Sequence, residues 1–96
     1  MREIRLFDVV GSFAENKDQA RKIRLEIIIP ALDAKEEVAL DFAKIDSATQ
    51  SFIHALISDV LRRFGSEILD KVYFKNCNET IRKIIDIVVE YMQDTD

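Results

Sequence analysis

The chain has 96 residues and a formal net charge of −4, with 48% apolar and 33% charged side chains. This length and balance predict one folded domain over residues 1–96 and argue against a disordered chain. Lys and Arg residues never occur more than two in a row, which disfavours nucleic acid as a partner. One Cys, one His and two Gly are too few for a zinc centre, an internal disulfide or a glycine-rich phosphate loop, so we expect no metal and no cofactor.

The cellular location follows from what the sequence lacks. Its longest apolar run, residues 27–32, is far shorter than the roughly 20 residues that a membrane helix needs. The first residues, MREIRLFDVV, contain no secretory signal. A cytoplasmic protein that does not bind membranes is therefore expected.

The first half of the chain predicts a strand followed by a helix. Residues 3–10 read EIRLFDVV, a β-prone alternation that Gly11 ends. Asn16 and Gln19 then have the spacing of a capping box, and apolar residues at steps of three and four continue the helix to Leu32. Pro30 is expected to kink the last turn or to end the helix there.

The second half predicts two more strand-helix units. Residues 37–43, EVALDFA, form a strand, and the next helix begins within residues 47–51, buries Phe52, Leu56 and Val60, and ends at Gly65. Residues 72–75 form a third strand, and Asn76 or Asn78 caps the last helix. That helix is expected to face the core with the following residues: Ile81, Ile84, Ile85, Val88 and Met92.

The order β-α-β-α-β-α predicts an α/β domain with a short, mixed or mostly parallel sheet covered by helices. In such sheets a functional site tends to lie beyond the carboxyl ends of the strands. The segment AKIDSATQSF, residues 43–52, falls there.

This segment is a polar corner with two interpretations. In one, its side chains only cap the helix, either through Thr49 as N-cap or through a capping box of Ser47 and Gln50. In the other, Ser51 lies about 100° round the helix from Phe52 and shares an exposed face with residues 54 and 58. A hydroxyl at a helix start can carry phosphate, because free amides and the positive end of the helix dipole stabilise the added charge.

The stretch VALDFAKIDSATQSFIHAL, followed by FG, a short strand and KNCNETIRKII, resembles the STAS-like family of small bacterial domains of unknown function. Members are often encoded beside, or fused to, histidine-kinase-type ATPases. The family resembles the STAS domain of anti-sigma-factor antagonists, in which a strand ending in Leu-Asp leads to a helix-start serine that a partner kinase phosphorylates. The resemblance runs from about residue 17 to residue 92 and is most specific over residues 38–52.

Along that pattern, Leu40 and Asp41 match the Leu-Asp pair, and Ser51 matches the phosphorylated serine. The Asp-Ser-Ser-Gly signature is replaced by Thr-Gln-Ser-Phe at residues 49–52. The resemblance therefore implies a STAS-like fold and points to Ser51 as the phosphoacceptor. Three of the four signature positions, however, carry a different residue.

Together these observations predict a regulatory protein-protein interaction module that is not an enzyme, working with a histidine-kinase-type ATPase or a protein that it regulates. A homodimer is left open. The expected partner surface is Thr49, Ser51, His54 and Ser58, and the residues expected to orient or cap the loop are Asp41, Ser47 and Gln50.

Two alternatives remain. One is an interaction domain of the same fold without phosphorylation. The other is a small enzyme or nucleotide-binding protein that uses Asp41, Asp46 and His54. Cys77 is expected to be a structural thiol, because His54 is distant from it in sequence.

Overall fold

The computed structural model describes residues 1–94. In chain order the elements are β1 (Arg2–Arg5), α1 (Phe7–Val10), β2 (Phe13–Ala14), α2 (Lys17–Ile23), a π-helical segment (Arg24–Ile28), α3 (Ile29–Asp33), β3 (Val38–Asp41), β4 (Ser47–Ala48), α4 (Gln50–Phe64), a 3₁₀ helix (Ser66–Lys71), β5 (Val72–Lys75) and α5 (Glu79–Asp94). The predicted α/β class is confirmed.

The main sheet contains β1, β3 and β5, all parallel, with β3 in the centre. Its register aligns Ile4, Leu40 and Phe74 in one row, and the apolar residues of this face belong to the core. Side chains alternate between the two faces of a strand, so the next row, Arg5, Asp41 and Lys75, points the opposite way. One face of the sheet is thus covered and the other carries polar side chains.

The helices pack on the apolar face, with α4 in contact with both α2 and α5. Phe52, Leu56 and Val60 of α4 are at most 2% exposed, as the periodicity predicts. None of the helices within residues 1–94 is long and apolar enough to cross a membrane.

The first strand is shorter than predicted, because β3, its neighbour in the sheet, ends early. The N–H of Leu6 donates to the C=O of Asp41, the last residue of β3. Beyond this point the amides of residues 9–11 donate instead to the carbonyls of residues 6 and 7, which closes one helical turn, α1. The predicted strand over residues 3–10 is therefore wrong after Arg5, whereas Gly11 does end the turn, with φ at 75°.

Of the two outcomes predicted at Pro30, a kink in the last turn or the end of the helix, the second is wrong. The π-helical segment Arg24–Ile28 precedes it, so Pro30 is the second residue of the new segment α3, where a missing N–H is tolerated. The chain stays helical to Asp33 and turns at Lys35, whose φ is 64°.

Two short strands, β2 and β4, were not predicted from the sequence. β2 pairs in parallel with β4, aligning Phe13 with Ser47 and Ala14 with Ala48. Each strand has two residues, too few for a period of two to be recognised. This pair places the segment before α4 against the segment before α2.

Candidate functional site

The start of α4 is capped by Thr49. Its backbone is extended, with φ −83° and ψ 154°, and its Oγ1 accepts the N–H of Phe52 at 3.0 Å. Of the two predicted arrangements the Thr49 cap is therefore the one observed. The capping box of Ser47 and Gln50 is wrong, because Ser47 belongs to β4 and Gln50 is the first residue of the helix.

Ser51 is exposed in the first turn of α4. It borders a shallow depression of about 440 Å³, and the full lining is Lys17, Gln50, Ser51, His54 and Ala55. Lys17 is the first residue of α2, so the starts of two helices border the same depression. Sequence reasoning did not select Lys17. The available signal was the Asn16 cap, because helices that follow parallel strands begin at the same end of the sheet.

Ser58 does not belong to this surface. The residue is only 3% exposed, so the prediction that it shares an exposed face with Ser51 is wrong. At this level α2 and the π-helical segment cover α4, because Nη1 of Arg24 donates to the C=O of Ala55 at 2.7 Å and pairs with Asp59 at 3.3 Å. The exposed part of the predicted face ends at His54, which is half-buried.

The loop before α4 is held by Asp41 at its beginning. Oδ1 of Asp41 accepts the N–H of Ala43 and the Nδ2–H of Asn76, both at 2.9 Å. The bond from Asn76, followed by that from Ala43, lowers the pKa of the Asp41 carboxyl from its ordinary value. Asp41 thus joins the turn after β3 to the turn after β5.

Asn78 holds the middle of the same loop. Its Nδ2 donates to the carbonyls of Ile45 and Asp46 at 3.3 and 2.8 Å, while its Oδ1 accepts the N–H of Ile81 at 2.9 Å. One side chain therefore caps α5 and clamps the approach to α4. The sequence indicated a cap at Asn76 or Asn78 but not this second contact.

Asp41 and His54, two of the three residues of the alternative enzyme or nucleotide site, make different contacts. The Asp41 carboxylate is bound by Ala43 and Asn76, whereas His54 lines the depression beside Ser51. Among residues 1–94, no group of three or more His, Cys, Asp or Glu side chains is arranged to hold a metal ion.

Cys77 is half-buried, and its Sγ lies 3.9 Å from the carbonyl oxygen of Lys75. Burial raises the pKa of this thiol above its ordinary value. A raised pKa lowers the thiolate fraction at neutral pH, which is the opposite of what a nucleophilic cysteine needs.

Comparison with known proteins gives one family. Residues 19–82, about two-thirds of the chain, match the family model described as a STAS-like domain of unknown function (DUF4325). No curated protein and no solved structure matches the chain significantly. The matched range contains β3, the loop that Asp41 and Asn78 hold, and the whole of α4, and on this match the chain belongs to the STAS-like domain family of unknown function.

Proposed function

We propose that this domain is a regulatory protein-protein interaction module, not an enzyme, and that its partner surface is the start of α4. The observation that carries the proposal is the exposed Ser51 hydroxyl, in the first turn of a 15-residue helix and beside Lys17. The partner surface consists of Ser51, His54 and the capped turn at Thr49, with Lys17 added and Ser58 removed. The resemblance to STAS domains supports a histidine-kinase-type ATPase, or a protein that it regulates, as the partner.

Phosphorylation of Ser51 is the proposed switch. A phosphoserine carries a charge of about −1.5 to −2 at neutral pH and three acceptor oxygens. The free amides at the start of α4 stabilise that charge locally, and Lys17, which lines the same depression, adds a positive charge to the surface. The surface seen by a partner nevertheless changes from a neutral hydroxyl to a dianion. Binding that depends on this surface must therefore change when Ser51 is modified.

A rigid loop supports this use of the site. The segment between β3 and α4 is hydrogen-bonded to Asn78 on one side, and on the other Asp46 and Thr49 donate their N–H groups to the carbonyls of Ser12 and Ala14. Ser51 is thus presented from a fixed platform. A fixed platform suits recognition by another protein, because little conformational entropy is lost on docking.

The experiment compares the domain with three variants, Ser51→Ala, Ser51→Glu and Ser66→Glu. Ser66 is an exposed serine beyond the other end of α4, so its variant adds the same charge away from the proposed surface. Each protein is incubated with MgATP and a histidine-kinase-type ATPase from the same genome. Modified sites are mapped by mass spectrometry, and the affinity for the ATPase is measured by calorimetry.

We expect phosphate on Ser51 in the wild type and in Ser66→Glu, and none in the other two proteins. Ser51→Glu should change the affinity for the ATPase at least about tenfold, since a charge enters a docking surface, while Ser66→Glu should bind like the wild type. If no phosphate appears on Ser51 and all four proteins bind alike, phosphorylation plays no part, and the domain is an interaction module that relies on shape. If none of the proteins binds, the ATPase is not the partner.

A further inference from the structure

Apolar side chains are exposed on the segment 7–13, which runs beside the approach to α4. Val9 is 44% exposed and Phe13 is 47% exposed. Phe7 differs from them, because it is half-buried and the Lys44 ammonium lies over its ring at 5.7 Å. Water-exposed apolar surface costs free energy, and where it is concentrated it commonly marks an interaction site. Val9 and Phe13, called the apolar pair below, are therefore candidates for contact with another molecule.

The β2–β4 pair fixes the direction in which Phe13 points. Phe13 is aligned with Ser47, and Ala14 with Ala48. Both alanines are at most 6% exposed, and successive side chains of a strand lie on opposite faces. Phe13 and Ser47 therefore share the outer face of this pair.

The same strand pair places Phe13 close to the candidate site. After β2 and β4 both segments continue into a helix, so Phe13 precedes Lys17 as Ser47 precedes Ser51. Four residues at about 3.3 Å each separate the backbones of Phe13 and Lys17 by at most about 13 Å. Lys17 and Ser51 line one depression, so Phe13 lies within reach of a molecule that covers it.

Val9 is tied to the same region. Its C=O accepts the Nε2–H of Gln19, a residue in the first turn of α2, at 3.2 Å. A standard protein interface covers about 800 Å² on each partner, a patch roughly 30 Å across. The apolar pair and Ser51 therefore fit within one interface.

The charged side chains around the apolar pair are mainly acidic. In residues 7–18 and the loop before α4, the exposed charged side chains are the carboxylates of Asp8, Glu15, Asp18 and Asp46 and the ammonium groups of Lys17 and Lys44. Over the part of the chain that the structure describes, none of these carboxylates forms an ion pair. They are therefore available to attract basic side chains of a partner.

We propose that Val9 and Phe13 anchor the protein that docks at the start of α4, and that this protein presents an apolar cleft edged by Arg or Lys side chains. A second copy of this chain does not fit, because a two-fold interface sets the same acidic side chains of both copies against each other. An anionic membrane surface is repelled for the same reason. This inference rests on the proposed function, since it takes the start of α4 as part of the same interface, and it adds the anchor and the chemistry of the partner.

Four variants form two matched pairs. Phe13→Ser removes the aromatic anchor, and Leu25→Ser removes an apolar side chain of nearly equal exposure, 48%, from the π-helical segment. Glu15→Lys reverses a charge two residues after Phe13, and Glu67→Lys reverses an exposed charge beyond the other end of α4. Circular dichroism and thermal unfolding establish that each variant is folded before binding is compared.

Two probes are used. The first is the histidine-kinase-type ATPase of the experiment above, whose affinity for the wild type, the four variants and Ser51→Glu is measured by calorimetry. The second is a phage-displayed library of random peptides selected on the wild-type domain. Enriched peptides are synthesised and titrated against the same proteins.

We expect Phe13→Ser to weaken the binding of either probe at least about tenfold, because buried aromatic side chains carry much of the free energy of an interface. Leu25→Ser should bind like the wild type. Enriched peptides should combine aromatic or aliphatic residues with Arg or Lys. Glu15→Lys should weaken binding about threefold or more, whereas Glu67→Lys should not.

The outcomes separate the apolar pair from the phosphorylation switch. If the ATPase binds Phe13→Ser like the wild type, the apolar pair is not the anchor, even where Ser51→Glu changes the affinity and the proposed function stands. If Phe13→Ser weakens the ATPase and Ser51→Glu does not change it, the apolar pair is the anchor and phosphorylation is not the switch.

The peptides decide if the ATPase binds none of the proteins. Peptides that lose affinity for Phe13→Ser and keep it for Leu25→Ser support the anchor. Equal affinity for these two variants, or a selection that enriches no peptide, refutes it. A wild-type dimer in light scattering that Phe13→Ser converts to a monomer would also overturn the proposal, since the occupant would then be a second copy.

Discussion

Arg24, the first residue of the π-helical segment, joins that segment to α4, and its replacement by methionine tests how the two elements are held together. The side chain is 11% exposed, donates to the C=O of Ala55 at 2.7 Å and pairs with Asp59, which is 47% exposed, at 3.3 Å. Methionine keeps an unbranched stem in the same place and removes only the guanidinium group. The change therefore isolates the polar contacts from the packing.

The magnitude follows from three contributions. Loss of a hydrogen bond from a charged donor costs about 1.5–3 kcal/mol. Loss of the ion pair adds roughly 0.5 kcal/mol, a low value because Asp59 is half-exposed and screened by water. Against this, Nε of Arg24 is buried without a hydrogen-bond partner, and its removal returns about 1 kcal/mol. We expect Arg24→Met to lower the free energy of unfolding by about 1–2.5 kcal/mol.

The matched control is Arg62→Met. Arg62 contacts the same Asp59 carboxylate, at 3.0 Å, but its side chain is 59% exposed. Its replacement should cost at most about 0.5 kcal/mol. Urea unfolding of the wild type and both variants measures the difference, and unchanged m-values would show that all three unfold alike. If Arg24→Met and Arg62→Met lowered the free energy of unfolding equally, the reasoning would be refuted, because burial would then not strengthen the contacts of Arg24.

Two further predictions concern the loop and the start of α4. Thr49→Ala should lower the free energy of unfolding by about 1 kcal/mol, since the N–H of Phe52 loses its acceptor, while Thr49→Ser should keep most of the wild-type stability. If urea unfolding found the alanine and serine variants equally stable, the cap would be contradicted. The hydrogen bonds of Asp41 lower its pKa in the folded state from the ordinary 3.8, so they stabilise the fold above that pH and the contribution is lost as pH falls below about 4. Asp41→Asn should therefore be less stable than the wild type at pH 7 and approach it in acid, with Asp46→Asn as the exposed control, and a difference that is independent of pH would count against this account.

Sequence signals were sufficient to predict an element boundary where the contacts that decide it are made between residues close in sequence. Asn16 accepts the N–H groups of residues 18 and 19, and Gly65 ends α4 with φ at 81°, so both helix boundaries could be predicted. The structure of residues 6–10 could not be predicted in this way, because the same short alternation of apolar and polar residues fits a strand or a helical turn. The length of β3, more than thirty residues away, decides between them.

Ser58 shows a different limit. A period of 3.6 residues identifies which side chains share a face of α4, but it does not say how far along that face α2 lies. The deciding contact comes from Arg24, which stands in a charged stretch of the sequence that gives no sign of burial. Similarly, the Asn78 side chain could be recognised as a cap from its position, yet its bonds to residues 45 and 46 depend on the packed loop.

Asn78 connects α5 to the loop that leads to Ser51, and the nature of that connection decides whether modification of Ser51 is felt at α5. Its Oδ1 accepts the N–H of Ile81 in α5, and its Nδ2 donates to the carbonyls of Ile45 and Asp46 in the loop. Coupling between distant sites needs an element with two arrangements that each ligand favours differently. Asn78 has three bonds in one arrangement, and none of them is made to Ser51. Phosphorylation of Ser51 should therefore change the surface at the start of α4 and leave α5 unchanged.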